Sequence, residues 1–389
     1  MVRKSSIITC ILVVISACTQ NNKKETVNKD SVVYTPVDST RIPMVVDTFH
    51  NALGHLFAGT GLNRTLFNID SLAFSRYADS MRNDYIRINT LRLNPLKTWI
   101  GKQFNNIQPA SSKNVVYPFS GADLLHVLQV YPNSENYYLM ALEPVGELPQ
   151  INGLSKEQTL KMVHELQYIL RDVFLRSYFI TKNMTQDFST EKYINGVIPL
   201  MLWSCIVTGH NIHSVKSVYI DSTGKLFNES QPNNSNMNTG VKVSFFKNNT
   251  RQLKHAYYFR YDISNNGIKQ NPGYFNYLKS IGDFYSFIKA ASYLPHYDNF
   301  TQIDDFILSN SRFHFQDDTG IPFNKFQRDS FNMRLYGVYV KPIADFTSNL
   351  FQKSLFNAYQ DSSKYFGHLP FSMGYQWSTS KQNQMIFYK

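Results

Sequence analysis

The stretch Asn114-Val115-Val116-Tyr117-Pro118-Phe119-Ser120-Gly121-Ala122-Asp123 decides how this 389-residue chain is built. Asn114–Tyr117 is a short apolar run that breaks into a turn at Pro118 and Gly121. Helical spacing follows over Gly121–Val130, and Tyr137–Leu142 is a second apolar run ending beside Glu143. Two short strands joined by one helix predict a compact βαβ unit with its strands parallel.

The elements on either side extend the pattern. Leu53, Leu56 and Phe57 start a helical stripe, and Leu72, Tyr77, Met81 and Tyr85 form another behind the start signal Asp70-Ser71, so residues 47–110 read as a helical segment. Ser155 with Gln158 is a capping box, opening a long helix with Leu160, Val163, Leu166, Leu170, Phe174 and Tyr178 on one face. A helix over 193–208 and a strand over 215–221 come next. Val241, Val243 and Phe245 alternate with Lys242 and Ser244, and Leu253–Tyr261 alternates likewise, which predicts an antiparallel hairpin with one wet face. Tyr274, Tyr277, Leu278, Ile281, Phe284, Tyr285, Ile288 and Ala291 predict one long helix. A helix near 300–309, strands at 312–316 and 334–340, and a helix near 345–359 complete the chain. The fold class is therefore α/β: a mixed sheet with one βαβ unit and an antiparallel hairpin over residues 111–389, helices on its faces, preceded by the helical segment.

Composition narrows the classes. With 43% hydrophobic and 15% aromatic residues against 17% charged, the chain is too apolar for intrinsic disorder, and 18 Gly with 15 Pro exclude a fibrous repeat. Three Cys cannot staple a disulfide scaffold. The formal charge of +11 could favour an anionic leaflet or acidic glycans, but it is spread along the chain rather than blocked, which favours an ordinary solvated surface, and nucleic acid is not an expected partner.

The N-terminus addresses the compartment. Arg3 and Lys4 precede an apolar Ile7–Ile15 stretch, then Ile15-Ser16-Ala17-Cys18 and an abruptly polar Thr19–Lys24. The apolar part is too short to span a bilayer. Residues 1–18 resemble the signal of bacterial lipoproteins, with Ile15 where Leu is commoner. The resemblance implies cleavage before Cys18 and acyl chains on that residue, whose several chains meet the two-signal requirement for stable anchoring. Residues 18–46 read as a flexible tether. Tether and composition resemble lipoproteins of the Bacteroidota, and Thr19 in place of an acidic residue points to the outer membrane. Tyr117–Gly146, Ala291–Pro322 and the Leu369–Tyr375 tail look like parts of an exported bacterial family.

Several groups could carry chemistry. The Ser120–Asp123 corner offers a helix N-terminus, Glu143 follows about 20 residues later at the next strand's end, and His126 sits one turn beyond Asp123. The corner resembles a Rossmann-type nucleotide or S-adenosylmethionine site, with Gly121 alone where the dinucleotide fingerprint carries several glycines. The competing reading is a helix capped by Ser120, with Gly121 permitting the turn. Asp317-Asp318-Thr319-Gly320 contains the Asp-Thr-Gly of aspartic proteases once, so a protease would need a homodimer, and a turn rich in Asp, Thr and Gly is the ordinary explanation. Cys205, His210 and His213 suggest a metal or thiol site but lack a third ligand of suitable spacing, and an apolar neighbourhood makes Cys205 a core thiol. His296 and His368 stand beside Pro residues. No complete catalytic constellation is present, and no cofactor or metal is implied. The expected function is a membrane-anchored cell-envelope lipoprotein acting as a non-catalytic binding or assembly module for an envelope protein or glycan. The alternative is a small-molecule enzyme or nucleotide/S-adenosylmethionine-type binder using Ser120, Gly121, Asp123, His126 and Glu143. Convergence of Asp123 and Glu143 on one enclosed pocket favours the alternative; Asp123 spent on the helix N-terminus and Glu143 on a surface ion pair favour the module.

Overall fold

Asp47 and Asp70 open the first two helices by accepting from the backbone N–H groups of His50 and Ala73. Gly59, in the left-handed region at φ 64°, closes the first. The computed structural model describes residues 44–389 apart from 106, 109–111, 229–237, 251, 327–330, 344–345, 347–349 and 379–380. The signal segment, Cys18 and the tether as far as Pro43 lie outside the described residues.

In chain order the elements are α1 (Thr48–Ala58), α2 (Ser71–Ile88), a π-helical turn (Asn89–Leu93), α3 (Asn94–Phe104), β1 (Asn114–Pro118), α4 (Leu124–Val130) and β2 (Asn136–Ala141). Helices α5 (Lys156–Ile169), α6 (Arg171–Arg176), α7 (Thr181–Thr190) and α8 (Ile198–Val207) follow, then β3 (Asn211–Ile220), β4 (Leu226–Asn228), β5 (Asn238–Phe246) and β6 (Leu253–Arg260). The remainder is α9 (Asn265–Gln270), α10 (Gly273–Ser280), β7 (Phe284–Ile288), α11 (Thr301–Asn310), β8 (Ser311–Gln316), α12 (Phe323–Phe326), β9 (Asn332–Gly337), α13 (Lys353–Tyr359), β10 (Tyr365–Gly367) and β11 (Asn383–Tyr388).

The strands make one mixed sheet in the order β10-β9-β11-β8-β7-β1-β2-β6-β5-β3-β4. Its centre, β8-β7-β1-β2-β6, is parallel throughout. The chain lays β1, β2 and β6 outward in one direction, then returns to place β7 and β8 on the opposite side of β1. That reversal, between β1 and β7, is a topological switch point of a doubly wound sheet. One edge is the antiparallel β3-β5-β6 ribbon, and at the other β11 inserts antiparallel between β8 and β9.

Alternate residues of each strand feed two cores. Val115, Tyr117, Tyr285 and Phe287 face the layer formed by helices up to α8, whereas Val116, Phe284 and Ile288 face the later helices. The parallel strands are therefore buried on both faces, as crossover helices require.

The fold class stands as read, with corrections inside it. The stripe from Tyr274 to Ala291 is not one helix. Helix α10 stops at Ser280, Gly282 turns the chain at φ 75°, and Phe284–Ile288 is the central strand β7. A short apolar run buried on both faces has no periodicity that separates strand from helix. The long helix from Ser155 keeps its capping box but ends at Ile169; Tyr178 lies beyond α6. Leu72 is exposed, the hairpin's wet face is largely covered, with Ser244 and Lys254 buried, and α7, β10 and β11 are additional elements. Asp345 lies outside the described residues.

Candidate functional site

Strand β1 ends in Pro118, and the chain must then turn sharply to start α4. Phe119 (φ 58°) and Gly121 (φ 55°) supply that turn in left-handed conformation. Asp123, not Ser120, caps α4, its Oδ1 accepting from the His126 N–H at 3.2 Å. Ser120 instead ties the corner to β2, its Oγ accepting from the Met140 N–H at 3.0 Å.

Asp123 is buried, and both its oxygens are engaged. His126 Nδ1 lies 2.6 Å from Oδ1, while Oδ2 accepts from the Tyr117 hydroxyl at 2.9 Å and pairs with Lys289 Nζ at 2.6 Å. Burial alone would raise this carboxyl's pKa; His126 and Lys289 outweigh it and hold the group well below the usual carboxylate range. Burial likewise pushes His126 and Lys289 downward, with Asp123 opposing in both cases. Lys289 is the first residue after β7, which is how an acid after β1 meets a base after β7 across the switch point. Its Nζ also donates to the Ser177 carbonyl at 2.6 Å.

Ser177 belongs to the turn that leaves α6, and Arg92 of the π-helical turn holds it from behind. The guanidinium donates to Ser177 Oγ at 2.9 Å and to the Leu175 carbonyl at 2.6 Å. Asp317, just beyond β8, accepts from the Ala290 N–H at 3.0 Å and from the Thr319 hydroxyl at 2.5 Å. Asp318 accepts from the Tyr293 hydroxyl at 2.5 Å and from the Asn383 amide at 2.9 Å. Burial, then the neighbouring Asp317, pushes Asp318 up to about 7. The Asp-Thr-Gly sequence is thus an internal clamp on the loop after β7, not half of a protease dyad.

Asp123, Tyr117, Lys289 and Ala290 line a cavity of about 320 Å³ at the carboxyl ends of β1 and β7, and the other groups brace it from behind. Tyr117, Phe119, Gly121, Lys289, Ser292 and Tyr375 are among its walls, and Arg176 at the end of α6 and Lys182 at the start of α7 add to them. Among the described residues, the non-glycine positions with positive φ are Phe119, Ser177, Ala290, Ser292 and Tyr293. Three of them line the cavity, Ser177 receives Lys289, and Tyr293 is fixed by Asp318. Each such residue costs about 1–2 kcal/mol. Strain concentrated at one place is characteristic of functional sites.

Glu143 lies behind the Gly121 wall. It is 0% exposed, and burial raises its pKa against pulls from Thr181 and Tyr258. Its Oε1 has no hydrogen-bond partner of good geometry among the described residues, and sits 3.7 Å from where a Cβ on Gly121 would be. The structure therefore gathers Ser120, Gly121, Asp123, His126 and Glu143 at one corner; Ser120, Gly121 and Asp123 line the cavity, whereas His126 and Glu143 stand behind its walls.

The other candidates separate. Cys205 is buried and its thiol pKa is raised by burial, while His210 contacts Thr208 and His213 the Val45 carbonyl. Among the described residues no group of three or more His, Cys, Asp or Glu could hold a metal ion. His296 is half-buried against Tyr293, and His368 sits exposed beside Tyr365. Sequence reasoning missed Lys289, Arg176, Ser177 and Arg92. The single available signal was a Lys directly after a short apolar run, which is where a parallel strand would deliver a residue to a ligand. Comparison with protein-family models, with curated proteins and with solved structures gave no match.

Proposed function

We propose that this chain is a lipid-anchored, small-molecule-binding protein of the bacterial cell envelope, its ligand held in the cavity at the β1/β7 switch point. The observation that carries this reading is coincidence. The cavity, the buried Asp123–Lys289 pair and the strained turns all fall where doubly wound sheets bind ligands. Glu143 weighs the same way, because it is buried and, among the described residues, its Oε1 has no hydrogen-bond partner and it makes no ion pair, whereas Asp123, which caps α4, weighs toward the module. Asp123 is a framework group in this reading, since its acceptors are used inside the protein and its task is to aim Lys289 and Tyr117.

The test is a thermal-shift screen of the purified chain against nucleotides, S-adenosylmethionine and small metabolites. A ligand of the cavity raises the melting temperature of the wild type, and the rise shrinks in Asp123→Ala and Glu143→Ala. Hits that survive both substitutions unchanged, or no hits, return the chain to the role of an assembly module.

A further inference from the structure

The charges around the cavity are unbalanced. Its lining includes Arg176, Lys182 and Lys289, and Asp123 is the one acidic side chain among the lining residues. Asp123 is already saturated by His126, Tyr117 and Lys289, so it has no acceptor left to attract a cationic ligand. Lys289 is different. An ammonium carries three N–H bonds, and the structure accounts for those to Asp123 and to the Ser177 carbonyl. Among the described residues a donor thus remains on a group that is itself 3% exposed and forms part of the cavity wall.

Arg176 brings a second cation to the lining. Among the described residues its buried Nε makes no hydrogen bond, lying 3.4 Å from Asp172 in a loose ion pair. A buried donor held only by so loose a pair keeps capacity for a better-placed acceptor. Lys182 stands exposed at the rim, where it adds long-range attraction. The walls between these cations are aromatic, with Phe119, Phe179 and Tyr375 offering flat apolar surface to an organic body. The cavity volume of about 320 Å³ admits a small metabolite and excludes a macromolecule.

We propose that the ligand is a small organic oxyanion, its phosphate or carboxylate group seated between Lys289 and Arg176. This rests on the ligand-site reading above and adds the chemical class. Charge-assisted hydrogen bonds from two cations, one pre-aimed by Asp123, supply the affinity, and the aromatic walls select the organic part.

Matched probes test it: adenosine 5′-monophosphate against adenosine, with inorganic phosphate alone, titrated into the full chain by thermal shift and calorimetry. The monophosphate and phosphate bind, adenosine binds at least about tenfold more weakly, and Arg176→Gln and Lys289→Met each weaken the anions by about tenfold or more. Arg176 is half-exposed, so its variant remains informative if Lys289→Met fails to fold. Equal binding of adenosine, anion binding unchanged in Arg176→Gln, or no response to either anion overturns the assignment. A neutral compound that binds the wild type and is lost in Glu143→Ala, while the anions stay inert, overturns only the charge class and leaves the ligand site standing. Failure of neutral and anionic compounds alike removes both.

Discussion

Asp123 does more than cap a helix. A cap needs one acceptor, and the side chain also carries His126, Tyr117 and Lys289 with almost no access to water. Removing one partner of a buried ion pair leaves the other uncompensated, which costs about 3–5 kcal/mol. Asp123→Asn and Lys289→Met should therefore each destabilise the chain by that order, and the double variant by clearly less than their sum. Urea unfolding of all four proteins reads the coupling directly; strict additivity would mean that the two groups do not interact. Asp304 offers a second check. It is buried, pairs with Lys325 through Oδ2 at 2.7 Å, and burial pushes its pKa from 3.8 up to about 7. A raised folded pKa means that the native state holds a proton which the unfolded chain releases. The contribution of Asp304 is thus full below about pH 4 and is lost as pH rises through about 7. In Asp304→Asn this part of the pH dependence disappears, so the stability difference from wild type changes between pH 5 and pH 8. A constant difference would show that Asp304 titrates normally.

Among the elements, β7 and β11 carry most consequence. β7 lies between β1 and β8, and its end delivers Lys289, Ala290 and Ser292 to the cavity. β11 comes last in sequence yet sits inside the sheet, pairing with both β8 and β9. Its Phe387 is fully buried and stacks on Phe326, with centroids 3.7 Å apart and planes 9° from parallel. Phe387→Ala should cost about 3–5 kcal/mol, because the vacated volume is walled by the sheet on one side and by Phe323, Phe326 and Phe331 on the other. Chemical denaturation measures it, and a loss below about 1 kcal/mol would show that this core can collapse around the gap.

At the scale of the whole molecule, described residues 44 onward form one compact unit, and no helix among them is long and apolar enough to cross a membrane. Attachment to a membrane therefore depends, in this reading, on Cys18. Replacing Cys18 with Ala should move the protein from the detergent phase to the aqueous phase on cell fractionation. The intact mass of the wild type should exceed that of the polypeptide from residue 18 by several acyl chains. Unchanged partitioning of Cys18→Ala removes the anchor.

The sequence by itself determined what depends on near neighbours: the βαβ unit from Asn114 to Ala141, the capping box at Ser155, the alternation of β5 and β6, and the Asp123–His126 pair one helical turn apart. Periodicity and capping are local, so a single chain displays them. Lys289 was hidden because Phe284–Ile288 is buried on both faces and continued the spacing of the helix before it. Only the tertiary structure decided that β7 returns beside β1, that Lys289 meets Asp123, and that Arg92, Ser177 and Asp317 brace the same cavity from distant parts of the chain. Strand order is set by how two apolar faces are covered at once, a property of the assembled sheet that no window of sequence contains.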